Sequence, residues 1–220
     1  MIGRGTRLCP NLFGLNKNKE KFYIFDACGN FEYFDMNPDG AKTSDTMPIS
    51  QRVFLKKLEL AEKIKDDDEI LRLLSKKIKD DLCSTVKTMD RDNFIVRRQL
   101  ETVESFSARE RWDNIDDIDF INIEKKLSKL PNNNEDEEEN CKYFDLMILN
   151  SQLAIYGKDA KKLEKYQKDL IKIASKLEQK SSIPMVNKEL EIIQEIQTDD
   201  FWCNVTISDL ENVRIRLRDL

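Results

Sequence analysis

Histidine is absent from all 220 residues. That absence removes the commonest general base, the usual base of a nucleophilic triad and the commonest zinc ligand together. Cysteine is sparse and scattered: Cys9, Cys28, Cys83, Cys141 and Cys203 are odd in number and form no C-x-x-C pair. Neither a disulfide framework nor a thiolate zinc site is implied, which suits a reducing compartment. Apolar runs are short, the longest resembling Tyr143-Phe-Asp-Leu-Met-Ile-Leu149, against the ~20 residues needed to span a bilayer. No membrane association and no secretory leader are expected, and the expected location is the cytoplasm. With six glycines and five prolines there is little material for a turn-rich β fold.

What the chain has instead is charge, 36% of its residues, with acids ahead of bases to a formal net charge of -5. Phosphate backbones are bound by Lys and Arg displacing counterions, so a general affinity for nucleic acid is not expected; any DNA contact must be local. A charged chain poor in glycine and proline reads as solvated amphipathic helices.

Residues 1–47 differ from the rest, holding five of the six glycines. The apolar run Phe22-Tyr-Ile-Phe25, between polar stretches, reads as a buried strand; Gly29-Asn30 supplies a turn before Phe31 to Phe34. Two such pieces are too few for an independent sheet. After Pro48 the spacing becomes helical, with Phe54, Leu58 and Ala61 on one stripe, then Leu71, Leu74, Ile78 and Leu82 on another. Val96, Leu100, Val103 and Phe106 continue it behind Asp92 or Asn93 as cap, and a further helix is expected from Ile118 to Leu130, stopped by Pro131. Residues 132–140, Asn-Asn-Asn-Glu-Asp-Glu-Glu-Glu-Asn, read as an acidic, solvated loop. Helices over Phe144–Ile155 and Ala160–Leu177 should be parted at Tyr156-Gly157, where glycine suits a helix end. Lys188–Gln197 and Ser208–Leu220 complete the set, the last with Ser208 and Glu211 in capping-box spacing. No internal repeat is evident. The expected fold is therefore mainly α: a small α/β remnant over 1–47, then an all-α multi-helix region over 48–220 interrupted by the acidic loop.

The residues suited to chemistry stand at the start, Gly3-Arg4-Gly5-Thr6-Arg7. In a helical turn, Arg4 and Arg7 share a face and can present two guanidinium forks to one polyanion, while Gly3 and Gly5 allow close approach. Asp26 at a strand end could position a nucleotide or DNA, though an acid closing a strand-to-turn transition is the plainer reading. Arg97, Arg98, Arg109 and Arg111 could touch phosphates, though a solvated helix face is plainer. Trp112 and Trp202 read as core.

Gly3, Arg4 and Arg7 match the last fixed positions of the sixth motif, Q-x-x-G-R-x-x-R, of superfamily 2 helicases and translocases. With Cys9-Pro10, Leu12-Phe13-Gly14 and the aromatic strand ending in Asp26, the segment resembles the restriction (R) subunit of type I restriction-modification enzymes. Arg111-Trp112-Asp113, Tyr143-Phe144-Asp145-Leu146 and the closing helix Leu210 to Leu220 extend the similarity more loosely.

The resemblance implies that residues 1–47 end a second RecA-like motor domain. It implies a parent that is an ATP- and Mg²⁺-dependent translocase and endonuclease acting on double-stranded DNA with methylation and specificity subunits. Arg7 would be the catalytic arginine, and Gly3, Arg4, Gly5 and Arg7 the nucleotide-binding set. There is no G-x-x-x-x-G-K-[ST] loop, no magnesium motif and no nuclease cluster in the sequence. Met1 is then expected to be an internal methionine or the start of a truncated gene. The piece is expected to be inactive alone and to hold no cofactor, and its orphaned strand could pair with another copy as a homodimer. The competing expectation is a stand-alone helical interaction module without catalytic activity.

Overall fold

The structure is a computed structural model that describes residues 9–12, 14, 18, 19, 21, 47–132 and 138–220. The chain divides into two units, Met1–Thr46 and Met47–Leu220. In the first, the described residues form a tight turn, closed where the Gly14 N–H donates to Asn11 O (3.2 Å) and the Lys19 N–H to Cys9 O (3.1 Å). Gly14 stands at φ 116°, a conformation that only glycine adopts cheaply. The expected strands over 22–34 lie outside the described residues.

The second unit is all-α, and no strand occurs among the described residues. Helix α1 (Ile49–Ile64) buries Phe54, Leu58 and Ala61 as their spacing predicts, together with Val53, Leu60 and Ile64. The stripe is broad because two helices cover it, α2 (Glu69–Lys87) and α6 (Glu139–Tyr156). Asp68 caps α2 by accepting from the Leu71 N–H, and Leu74, Ile78 and Leu82 turn inward. Asn93 proves to be the cap of α3 (Phe94–Arg97), which a tight turn joins to α4 (Leu100–Phe106). A 3₁₀ turn over Arg109–Trp112 carries Trp112 into the core.

The helix expected over Ile118–Leu130 is shorter. Helix α5 runs Asp117–Lys125, and Leu127–Lys129 form a 3₁₀ turn. Ser128 explains the break: its hydroxyl donates to Glu124 O (2.7 Å) and accepts from Gln51 Nε2 (3.0 Å), drawing the chain onto α1. Pro131 then holds Leu130 extended, at ψ 142°. Of the acidic loop, 133–137 lie outside the described residues, while Glu139 and Asn140 already belong to α6, a correction to the expected boundary.

Helix α6 ends at Tyr156, and α7 (Ala160–Glu178) follows. Glycine is here, yet the left-handed residue is its neighbour, Lys158, at φ 52°. The Asp159 N–H reaches back to Ala154 O (2.9 Å) and the Lys158 N–H to Ile155 O (3.1 Å), a Schellman closure with Lys158 at the position glycine prefers. Lys158→Gly should therefore stabilise the unit by about 1 kcal/mol in urea unfolding; an unchanged midpoint would show that the strain is relieved elsewhere.

A separate helix not expected from the sequence, α8 (Pro184–Lys188), precedes the one expected over Lys188–Gln197, which is the shorter α9 (Leu190–Glu195); the two are parted where the Glu189 N–H turns back to Val186 O (3.1 Å). After α10 (Asp199–Cys203), the last helix, α11 (Ile207–Leu217), is capped by Thr206 rather than Ser208. Thr206 and Asp209 make the reciprocal capping box, and Glu211 is left to bind Arg214.

The order of α1 to α4, the 3₁₀ turn Arg109–Trp112 and α5 is repeated by α6 to α11, with α10 in the place of the 3₁₀ turn, so the unit is a tandem repeat, contrary to the sequence reading. Over 93–130 and 183–220, at a separation of ninety positions, Val96, Leu100, Glu101, Trp112, Asn114, Asp119, Asn122, Leu127 and Leu130 recur as Val186, Leu190, Glu191, Trp202, Asn204, Asp209, Asn212, Leu217 and Leu220. The local chemistry recurs too. Trp112 Nε1 donates to Phe106 O (2.8 Å) and Trp202 Nε1 to Ile196 O (2.7 Å). Asp68 and Asp159 cap α2 and α7, and Asp116 and Thr206 cap α5 and α11. The Gln99 and Glu189 N–H groups close the same turn on Val96 O and Val186 O. Each repeat has its own apolar core, and α6 serves both: Leu146 and Leu149 pack into the first, Phe144 and Ile148 into the second.

Candidate functional site

The residues assigned to phosphate chemistry, Gly3, Arg4, Gly5 and Arg7, lie outside the described residues, as does Asp26. The secondary cations fall within them, and their geometry is structural. Arg109 is bound to both Asp80 and Asp113, joining α2 to the 3₁₀ turn. Burial alone would lower its pKa, but the hydrogen bonds from those carboxylates outweigh this and hold it above the ordinary value. Arg111 pairs with buried Asp119 while lying 5.7 Å from the Phe106 ring centroid. Arg98 covers Phe94 at 4.6 Å. Arg97 is exposed. The arginines at 109 and 111 thus hold this part of the fold together, which goes beyond the solvated face expected of them.

The densest charged constellation sits where the repeats meet. Arg214 and Arg218, one helical turn apart, converge on Asp145 of α6, whose side chain is 3% exposed. Arg214 Nη1 donates to Asp145 Oδ1 (3.2 Å) and Arg218 Nε to Asp145 Oδ2 (2.9 Å). Arg214 also grips Glu211 through Nε (3.0 Å) and Nη2 (2.7 Å). Burial works against the Arg214 charge, yet Glu211 and then Asp145 prevail and hold its pKa above the ordinary arginine value. Beside them, Lys57 pairs with Asp81 (2.7 Å), and these residues with exposed Lys77 line an open cleft. Deeper, Gln152 is fully buried and its Nε2 donates to Ile207 O (3.1 Å).

The chemistry of this constellation is that of a clamp. Every carboxylate named faces a cation, no nucleophile is present, and the pairs bind α6 to α11. Among the described residues no group of three or more acidic, cysteine or histidine side chains is placed to hold a metal ion. No helix among them is long and apolar enough to cross a membrane. Sequence reasoning quoted Asp145 and the arginine-rich last helix without joining them; the signal was the spacing of Arg214 and Arg218 on one face. Asp145→Asn should lower stability by about 2 kcal/mol, since two ion-paired bonds are replaced by at most one in which only the arginine is charged, and the amide NH₂ faces the other guanidinium. Thermal unfolding checks this, and a loss below about 0.5 kcal/mol would mean that the arginines are satisfied by solvent.

Comparison of the chain with protein-family models, with curated proteins and with solved structures finds no match.

Proposed function

We propose that this chain works as part of the R subunit of a type I restriction-modification enzyme, an ATP-dependent translocase and endonuclease of double-stranded DNA in the cytoplasm. The observation that carries the reading is the order of residues in 1–34: Gly3-Arg4-Gly5-Thr6-Arg7, Cys9-Pro10, Leu12-Phe13-Gly14, then an aromatic run closing on Asp26. The donor set fits a polyphosphate, with two guanidiniums for its oxygens and two glycines to admit it, and contains no acid for Mg²⁺. When bound, Mg-ATP supplies the phosphoryl group whose transfer drives the motor. Arg7 stabilises the charge that spreads over the phosphoryl oxygens in the transition state, and Arg4 orients the nucleotide.

The helical unit takes a docking role toward the methylation and specificity subunits. Its support is physical: the charged side chains at the repeat junction are paired with one another, and the exposed apolar residues are carried on rigid helices. The second reading, a stand-alone helical interaction module without catalytic activity, is favoured by the tandem repeat, an architecture that builds extended binding surfaces.

The purified chain is expected to hydrolyse no ATP and cut no DNA, and to co-sediment with the methylation and specificity subunits. Binding to neither subunit would remove the docking role, and robust hydrolysis by the chain alone would sink the assignment.

A further inference from the structure

The repeat makes a comparison within the chain. In the first repeat, Ser50, Val53, Phe54 and Lys57 of α1, with Asp81 and Thr85 of α2, form a groove that α6 closes through Lys142 and Asp145. The space left beneath α6 is about 20 Å³, room for about one water and far too little for a side chain of another helix. The same groove exists in the second repeat. Asn140, Tyr143, Phe144 and Met147 of α6 stand ninety positions on from the α1 residues, and, in the register set by the caps Asp68 and Asp159, Ile173 and Leu177 of α7 stand at the places of Leu82 and Val86. Leu217 and Leu220 complete its floor. Among the described residues no helix covers it: the hollow is about 320 Å³ and Tyr143 is 55% exposed.

The substitutions between the grooves say what fits. Lys57, which pairs with Asp81 in the first groove, becomes Met147, Asp81 and Thr85 become Lys172 and Lys176, and the lining of the second groove is mainly apolar. Helix α6 enters the first groove and the adjoining core with Lys142, Asp145, Leu146 and Leu149, a stripe at i, i+3, i+4 and i+7. An occupant of the second groove needs the same stripe with apolar residues throughout, and Met147 offers it an adaptable surface. Along the edge, exposed Lys172 and Lys176 of α7 lie on the turns that carry Ile173 and Leu177, and neither has an ion-pair partner among the described residues.

We infer that the open groove of the second repeat, between α6, α7 and the end of α11, is a docking site for an amphipathic helix of a partner protein, with an apolar i, i+3, i+4, i+7 stripe and an acidic flank. It seats that helix as the first groove seats α6. The inference stands on the repeat and needs no assumption about restriction chemistry.

The test uses the full chain and three labelled 18-residue helical peptides: a leucine stripe with glutamates on its flank, the same stripe with lysines, and a scramble of the first. Fluorescence anisotropy should show the glutamate peptide binding at least tenfold more tightly than either control. Ile173→Glu should weaken it at least tenfold with the melting temperature within a few degrees of wild type. Because Ile173 is half-buried, the exposed pair Lys172→Glu with Lys176→Glu provides a second arm, and it should reverse the preference between the two flanks. Absence of binding, or equal binding by the Ile173→Glu variant, overturns the inference. A photo-crosslinker at position 173 separates the other occupants: crosslinking within the chain to residues 1–46, or to a second copy, would assign the groove to the chain itself and overturn it equally.

Discussion

Trp112→Ala should lower the stability of the helical unit by about 4 kcal/mol, within the 3–5 kcal/mol typical of large aromatic truncations in cores. Trp112 is fully buried, and its indole meets Phe54 and Phe106 edge to face, with centroids 6.4 and 5.7 Å away. The substitution opens a cavity between α1 and α4 and strips Phe106 O of the Nε1 hydrogen bond (2.8 Å). A domain of this size is stable by only about 5–15 kcal/mol, so much of the folded population is at risk at physiological temperature.

The repeat supplies the control. Trp202 makes the matching bond to Ile196 O (2.7 Å) and packs edge to face on Phe201 at 5.3 Å, but it is only half-buried. Trp202→Ala should cost about half as much, because a site open to solvent leaves no sealed cavity. Urea unfolding of both variants in the full chain decides this: equal losses, or a loss under about 1.5 kcal/mol for Trp112, would show that depth in the core is not what separates them.

Much of the helical unit was legible because its period is local. The stripe Phe54–Leu58–Ala61, the cap at Asn93 and the start of α7 all depend on neighbours within a turn or two. Reading failed where a distant partner decided. Helix α5 ends early because Ser128 is held by Gln51, 77 residues away, and the Asp145 clamp joins residues 69 and 73 positions apart. Gly157 marked the turn correctly but not the residue under strain, since the closing hydrogen bonds put Lys158 at the left-handed position. The repeat escaped notice because what it preserves is a scatter of core and capping positions, while α1 and α6 differ at the rim residues that give their grooves different chemistry. Of the candidate site, the order of residues in 1–34 was legible from the start, and its geometry lies outside the described residues.

Under the proposed function, Arg7→Ala carries the largest effect expected of any substitution. A guanidinium at the γ-phosphate is worth about 10³ to 10⁵ in rate, because it meets charge that develops only in the transition state. Removing it should leave assembly and DNA binding intact, since those functions fall to the helical unit and to other subunits in the proposed complex. The decisive measurement is DNA-dependent ATP turnover by the complete R subunit, assembled with its methylation and specificity subunits and carrying Arg7→Ala. The expected result is a fall of about 10³-fold or more with the complex still assembled on DNA; undiminished turnover in an assembled complex would contradict the account.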